Sequence, residues 1–340
     1  MTAEVEFGPG WSFLERAMAT AGLAALAVAG NAANLPLLFG VDFIFGSVWA
    51  LVALVWLGPW AGLIAGLAGA LYTLPLWGHP YAAPILFLEV AAVAVLVQRG
   101  WYLVMATTGY WLVIGTPLAL LLYSGPVGLD PTAAGLIALK QSVNGIFNAT
   151  LAGIILLFLQ TLVPNESEAR AGSIRLRHLL FTLFMALALL PGLALIAAES
   201  WQNRAELERS LAERMAMAAQ IMARQPEHNT EPLQGMRVTL LDDRGQPIGA
   251  GEPPPNDPGQ ATTISDMHIH LPERPGLPKM VRWQRGHYHR RVALDGNGAA
   301  AAWIQTPAEG VVERLRENQV YELGLLAMLA VGAALGAAFL

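Results

Sequence analysis

Cysteine is absent from the 340 residues of this sequence, which excludes disulfides, thiolate metal sites and cysteine nucleophiles. Charged side chains are scarce, at 13% of the chain. A typical soluble domain has roughly 25% charged residues, so most of this chain is expected to lie in a membrane. The formal net charge of −5 gives no reason to expect a nucleic-acid partner.

Catalytic motifs are missing as well. The sequence contains no G-x-S-x-G, no H-E-x-x-H, no phosphate-binding loop and no glycine-rich dinucleotide turn. The polar residues within its apolar segments include no nucleophile beside a general base. We therefore expect no cofactor and no catalytic site within these residues, and a membrane enzyme is the least favoured interpretation.

Long apolar runs are what the sequence has in abundance, since 55% of its residues are hydrophobic. A membrane-spanning helix needs about 20 mostly apolar residues. Eight segments meet that requirement, with turn residues between them: 12–32, 35–57, 60–77, 81–98, 101–123, 133–162, 178–198 and 318–340. The sequence predicts a polytopic α-helical membrane protein with about eight transmembrane helices.

Arginine placement predicts the orientation of these helices. The segment 166–177 carries Arg170, Arg175 and Arg177, and the connection between the fourth and fifth helices carries Arg99. Loops rich in Lys and Arg stay on the cytoplasmic side. The N-terminus is then cytoplasmic and lacks the basic start of a cleaved signal peptide. In a bacterial inner membrane, residues 200–316 are expected in the periplasm.

Residues 200–316 differ in composition from the rest of the chain. A charged amphipathic helix is predicted at 201–225, followed by short strands and a second amphipathic helix. The strands are predicted at 237–251, 267–271, 280–284, 287–294 and 299–307. This α+β domain is inserted between two membrane helices. The predicted domains are a six-helix bundle at 1–165, a basic loop at 166–177, the seventh helix at 178–199, the inserted domain at 200–316 and the eighth helix at 317–340.

Polar residues interrupt several predicted spans. Lys140, Asn144 and Asn148 are spaced four apart and share one helical face, and Gln141 borders it. Asp42 and Glu89 occupy two other predicted spans. By residue count, Asp42, Glu89 and Lys140 lie at one level, roughly 10–14 Å below the outer surface. A charge facing lipid at that depth costs several kcal/mol, so these side chains are expected to face the protein interior.

Three interpretations of these residues remain open. The first is an ion pair between Lys140 and either Asp42 or Glu89 that only fixes helix register. The second is a polar pocket, open to the outside, that holds a small ligand. It is favoured because one lysine leaves one of the two acids unbalanced. The third is conduction of ions or protons. His79 is expected at the pocket entrance, whereas Trp77 and Tyr81 are better explained as an interfacial aromatic belt.

Three blocks of the sequence resemble a bacterial integral-membrane sensor module (MASE-like) that precedes histidine kinases and diguanylate cyclases. They are FGVDFIFGSVWALVALVWLGPWAG (39–62), LYTLPLWGHPYAAPILFLEVAAV (71–93) and LKQSVNGIFNATLAGIILL (139–157). More distantly, they resemble the substrate-binding membrane subunits of vitamin uptake transporters, which are six-helix bundles with a pocket near the outer face. The resemblance covers residues 30–165 and implies five signature positions: Asp42, Glu89, Lys140, Asn144 and Asn148.

The inserted domain resembles a single Cache-type sensor domain with a PAS-like fold. The resemblance rests on VTLLDDRGQPIGAG (238–251) and AAAAWIQTP (299–307). It implies an extracytoplasmic input domain of a class in which some members bind small carboxylates, amino acids or other solutes. Others in that class bind nothing.

Two H-x-H pairs in the inserted domain, His268 with His270 and His287 with His289, are potential metal ligands. Strand alternation places each pair on one face, and imidazole suits Zn²⁺ and Cu²⁺. Nearby arginines would repel a cation, so ordinary surface histidines are the favoured interpretation. A response to pH through the same four residues is an alternative.

The sequence stops at VGAALGAAFL, inside an apolar segment, and a cytoplasmic output domain is expected to follow. We therefore expect the sensory input region of a bacterial transmembrane receptor, attached to a histidine kinase or, next in preference, a diguanylate cyclase. Its expected partners are a small-molecule ligand, the lipid bilayer and a second copy of the chain. The alternative is a small-solute transporter or its substrate-binding membrane subunit.

Overall fold

The structure is a computed structural model that describes residues 11–38, 41–162, 176–224, 235–248, 253–254, 259–272, 278–294 and 299–339. The chain forms two compact units. The membrane unit comprises Met1–Ala197 and Arg316–Leu340, and the second unit comprises Ala198–Leu315. The basic loop predicted at 166–177 lies mostly outside the described residues, as does the last residue of the final predicted span.

Helices make up most of the membrane unit. In chain order its elements are α1 (Phe13–Ala32), β1 (Leu35–Leu38), β2 (Val41–Phe43), α2 (Gly46–Trp56), α3 (Pro59–Trp77), α4 (Ala82–Gln98), α5 (Leu103–Tyr110), a π-helix (Trp111–Gly115), α6 (Thr116–Ser124), α7 (Pro131–Leu162), the first part of α8 (Leu176–Arg224) and most of α10 (Glu309–Phe339). Both α8 and α10 continue into the second unit along the chain.

Five helices among the described residues are long and apolar enough to cross a membrane: Phe13–Ala32, Pro59–Trp77, Leu103–Ser124, Pro131–Gln160 and Phe181–Arg224. Two further apolar helices, α2 and α4, have 11 and 17 residues. At 1.5 Å per residue they measure about 16 and 25 Å, less than the roughly 30 Å of a bilayer core. The prediction of a helical membrane protein is confirmed, and the count of eight spans stays a prediction.

The prediction of one continuous helix over residues 35–57 is wrong. A short antiparallel hairpin, β1 with β2, precedes α2, and Asp42 lies in β2 opposite Pro36. Apolar composition does not separate a buried strand from a buried helix. Pro36 disfavours a continuing helix, whereas Val41 and Phe43 suit a strand. The second strand is buried.

The predicted span 101–123 contains a π-helix at its centre. The N–H group of Thr116 reaches back five residues to the carbonyl of Trp111. Pro117 follows directly, and proline cannot donate the next helical hydrogen bond. A widened turn accommodates that loss, and such π segments occur frequently at functional sites.

The second unit is a helix–sheet–helix arrangement. Its sheet contains β3 (Arg237–Leu241), β4 (Gln260–Ala261), β5 (Met267–His270), β6 (His287–Ala293) and β7 (Ala301–Pro307), in the antiparallel order β3-β7-β6-β5-β4. The strand predicted at 280–284 is wrong, because Lys279–Gln284 forms helix α9. Pro278 precedes this helix, and the buried positions Met280, Val281 and Trp283 follow a helical rather than an alternating pattern.

One face of this sheet forms the core of the second unit. Ile269, Tyr288 and Ile304 lie on that face and are fully buried. The Tyr288 hydroxyl donates to the carboxylate of Glu208 in α8 at 3.2 Å. Glu208 also accepts from Arg204 Nε at 3.0 Å and from the Thr263 N–H at 2.8 Å. This buried acid therefore joins α8 to β6 and to the connection between β4 and β5.

Candidate functional site

The two asparagines of α7 bind the backbone just before α2. Asn144 Oδ1 accepts from the Ile44 N–H at 2.8 Å, and Asn144 Nδ2 donates to the Ile44 carbonyl at 2.7 Å. Asn148 Nδ2 donates to the same carbonyl at 2.9 Å and to Ser47 Oγ at 2.7 Å. Backbone groups outside regular structure need partners when they are buried. These amides supply them, so the described contacts of Asn144 are with the protein itself.

A third asparagine, which the sequence did not single out, supports the same segment from α1. Asn31 Oδ1 accepts from the Gly46 N–H at 2.6 Å, and Asn31 Nδ2 donates to the Gly69 carbonyl at 2.8 Å. A Cβ at Gly46 would lie 2.5 Å from that same Oδ1 atom. Beside these residues is a cavity of about 10 Å³, the size of one water molecule. The sequence signal that could have identified Asn31 is an amide side chain within an otherwise apolar predicted span.

Asp42 and Lys140 lie in one buried group. Each is 1% exposed, and their charges interact. Lys140 Nζ lies 4.8 Å from the Trp77 ring centroid and 5.8 Å from that of Phe43, distances at which a cation is attracted to a ring. Trp77 Nε1 in turn donates to Asp42 Oδ2 at 3.2 Å. We call Asp42, Phe43, Trp77 and Lys140 the Lys140 cluster.

Aromatic rings extend this cluster towards residues 78–81. The His79 ring stacks on Trp77 and Tyr81, with centroids 6.3 and 5.8 Å apart, and meets Tyr123 edge-on at 5.2 Å. Gln141 hydrogen-bonds the Tyr123 hydroxyl. Trp77 is only 6% exposed, and its ring faces Lys140. Its place in an interfacial aromatic belt stays a prediction.

Two polar atoms beside Tyr123 are buried without a hydrogen-bond partner among the described residues: His79 Nδ1 and Gln141 Oε1. Most buried polar atoms in proteins have a partner, and an exception calls for a water, an ion or a ligand. His79 and Gln141 are therefore the positions of this region that are suited to bind a further molecule.

Glu89 makes its described contacts elsewhere. Its Oε1 accepts from Trp111 Nε1 at 2.7 Å, and a Cβ placed on Gly145 would lie 2.5 Å from that oxygen. Gly145 is five residues after Lys140, which is about 7.5 Å along α7 and about 140° around it. The described contacts thus place Asp42 near Lys140, and they place Glu89 against a different face of α7.

The four histidines of the second unit share one face of the sheet. His268 pairs with His289 across the strands, and His270 pairs with His287. The His289 ring lies between His268 and Trp303, with centroids 6.0 and 4.8 Å away. Within the described residues no three metal-binding side chains come together to hold an ion, so the geometry does not support a metal site. Ring stacking orients the imidazoles of His268 and His289 side by side.

The same face borders a groove of about 210 Å³ lined by Arg237, Thr239, Pro253, His270, His289, Trp303 and Gln305. Burial, together with the charges of Arg237 and His270, lowers the pKa of His287 below its ordinary value. This face therefore combines an arginine with a histidine, His287, whose neutral form is favoured.

No protein-family model, no curated protein and no solved structure matches this chain. The resemblances to sensor modules and to a Cache-type domain stay predictions.

Proposed function

We propose that this chain is the sensory input region of a bacterial transmembrane signalling receptor, and that the Lys140 cluster with His79 and Gln141 binds a small polar molecule. One observation carries the proposal: the buried pair Asp42 and Lys140 lies where the backbone between α1 and α2 is not helical. In membrane proteins irregular backbone and buried charges mark binding sites for substrates and ions.

The chemistry of the site favours a small molecule with polar groups and a flat face. Gln141 Oε1 can only accept, so the ligand must offer it an N–H or O–H group. Asp42 and Lys140 supply one charge of each sign, which suits a dipolar or zwitterionic molecule. The rings of Trp77 and His79 supply flat apolar surface beside these groups.

Two long helices support a signalling role. α8 has 49 residues and α10 has 31, and each contributes to both units without interruption. Within the membrane unit they pack closely, since a Cβ on Gly192 would lie 2.7 Å from Leu326. A shift of one helix against the other is a suitable signal, provided that the ligand binds one arrangement more tightly than the other.

Asp130, the residue directly before α7, contacts α10. Asp130 Oδ1 accepts from the Ala133 N–H at 2.9 Å, which caps α7, and Asp130 Oδ2 accepts from Arg316 Nη1 at 3.4 Å. Lys140 lies on α7, ten residues after Asp130. A change at the Lys140 cluster therefore has a direct route to α10 through one helix and one ion pair.

The remaining assignments follow from the sequence and belong to the proposal. The second unit is a periplasmic Cache-like sensor domain, the N-terminus is cytoplasmic, and the receptor lies in the inner membrane as a homodimer. The output is a histidine kinase or a diguanylate cyclase. The helix–sheet–helix order of the second unit supports this arrangement.

A binding screen tests the site. The purified chain in lipid nanodiscs is incubated with individual amino acids, small heterocycles and dipolar osmolytes, and thermal unfolding is recorded. We expect at least one compound to raise the unfolding temperature of the native chain. Its affinity should fall at least tenfold in Lys140→Met and Asp42→Asn, which is about 1.4 kcal/mol. Arg99→Gln removes an exposed charge and should bind normally. Equal affinity in all four proteins would reject the site.

The second candidate is a transporter or its substrate-binding subunit, which the non-helical backbone at 35–38 and 41–45 favours, because transporters bind substrates at broken helices. Uptake of the identified compound into proteoliposomes separates the two functions. A receptor binds the compound and moves none of it, whereas accumulation inside the vesicles would establish transport.

A further inference from the structure

Glu89 is a buried acid that the proposed ligand site does not use. It lies in α4 and is fully buried. Its Oε1 accepts the 2.7 Å hydrogen bond from Trp111 Nε1. Its Oε2 is buried and has no hydrogen-bond partner among the described residues. A carboxylate normally satisfies both oxygens with several donors, so this environment fits an ionised acid poorly.

No described salt bridge involves Glu89. Lys140 is the only lysine or arginine of α7. It lies among Asp42, Phe43 and Trp77, on a different face of α7 from Gly145, which adjoins Glu89. Tyr110 is the titratable neighbour whose interaction with Glu89 is described, and its hydroxyl donates to the Ile85 carbonyl at 2.6 Å. An unpaired negative charge in an apolar interior is costly, and such a group takes up a proton instead.

The surroundings of Glu89 are specifically shaped. A Cβ on Gly145 would overlap the indole nitrogen of Trp111 and approach Glu89 Oε1. Trp111 opens the π-helix and packs edge-on against Tyr110, with ring centroids 5.3 Å apart. A glycine, a buried indole and a widened helical turn thus converge on one carboxyl group.

We propose that Glu89 is a proton-binding site of the membrane unit, separate from the ligand site around Lys140. The proton is held on the carboxyl group in the resting protein. On release, the O–H bond breaks, the proton passes to water, and the carboxylate keeps the hydrogen bond from Trp111. Because Trp111 begins the π-helix, the two protonation states favour different arrangements of residues 111–115. Protonation of Glu89 in α4 is thereby coupled to the shape of the π-helix between α5 and α6.

Labelling with dicyclohexylcarbodiimide tests this proposal, because the reagent partitions into apolar regions and reacts with protonated carboxyl groups. The full chain in nanodiscs is treated at a series of pH values, and peptide mass spectrometry locates the adduct. We expect labelling of Glu89 at neutral pH that declines in alkaline buffer. Glu89→Gln should remove the adduct without changing solute binding at the Lys140 cluster, so the two proposals fail separately.

Trp111→Phe provides a second variant with the carboxyl group intact. The indole hydrogen bond favours the ionised acid, so its loss should extend labelling into more alkaline buffer. A purely structural bond would leave the pH profile unchanged. Infrared difference spectra of the native chain minus Glu89→Gln should contain the carbonyl band of a protonated acid at neutral pH. A carboxylate band in its place, or labelling that sodium ions block at every pH, would overturn the proposal.

Discussion

The side chain of Asn144 hydrogen-bonds both backbone groups of Ile44, at 2.8 and 2.7 Å. The two residues are 100 positions apart in the sequence, and the amide replaces the partners that a continuous helix would have given Ile44. This contact explains why an apolar helix retains polar residues: they stabilise the irregular segment that positions Asp42 beside Lys140.

Removing the amide of Asn144 should destabilise the membrane unit. In Asn144→Leu the volume is retained, but the buried N–H of Ile44 loses its acceptor, at a cost of about 1–3 kcal/mol. Its carbonyl keeps the bond from Asn148. Thermal unfolding in detergent measures the loss. Gln98→Ala removes an exposed amide and should unfold as the native chain does. Equal stability of Asn144→Leu would show that the irregular segment needs no such support.

Two glycines of α7 should respond oppositely to alanine. A Cβ at Gly145 would overlap Trp111 and crowd Glu89, whereas a Cβ at Gly135 would have no atom within 4 Å. Overpacking typically costs about 1–3 kcal/mol, and alanine in an open helical position gains up to about 1 kcal/mol over glycine. Gly145→Ala should therefore lower the unfolding temperature and Gly135→Ala should maintain or raise it. The reverse order would contradict the described contact.

Glu208 should be important for the stability of the second unit. It accepts hydrogen bonds from Arg204, Thr263 and Tyr288. Glu208→Gln replaces the negative charge with an amide that cannot accept from all of them. Hydrogen bonds to a charged group contribute about 1.5–3 kcal/mol. Glu206→Gln, at an exposed position two residues earlier, is the control. Chemical unfolding of the full chain compares the two, and similar midpoints would reject the role of Glu208.

Acid should destabilise the second unit through His287. Burial, Arg237 and His270 lower the pKa of this residue from 6.5 in the folded state. The neutral form is therefore favoured by folding. The contribution of His287 to stability is complete above its unfolded pKa and is lost as the pH falls below about 6.5 through the folded value.

Unfolding temperatures across this pH range check the prediction. In Arg237→Gln the loss on acidification should be smaller, because one of the charges that opposes protonation is gone. His287→Gln should reduce it further. Identical pH profiles in the native chain and both variants would show that another group is responsible.

Long apolar runs indicate membrane helices directly, so helices such as α3 and α7 could be predicted from the sequence. The prediction was wrong at residues 35–38 and 41–43, because apolar composition does not distinguish a short strand from a helix. The strand predicted at 280–284 was also wrong. A proline directly before α9 favours the start of this short helix, although the residues themselves are common in strands.

The polar residues of the site were visible in the sequence, but the choice between Asp42 and Glu89 as the partner of Lys140 was not. Charge and equal depth singled out all three residues, and the structure brings Asp42 and Lys140 together. The described contacts place Glu89 against another face of α7. The depth of a residue gives its level along the helix axis. It does not say which face of the helix carries the residue, because packing determines that face. The hydrogen bonds between Asn144 and Ile44 could not be predicted either, because no local sequence pattern indicates a contact between such distant residues.

The most direct test uses the absence of cysteine, which makes every introduced thiol unique. Gln141→Cys and Val143→Cys place thiols on α7 at two buried positions, one beside His79 and Tyr123 and one in apolar packing. A charged, water-soluble methanethiosulfonate is applied to the chain in nanodiscs. The account predicts rapid modification of Cys at 141, slowed by the compound found in the screen, and slow modification at 143. Equally slow modification at both positions would show that no polar site reaches water there.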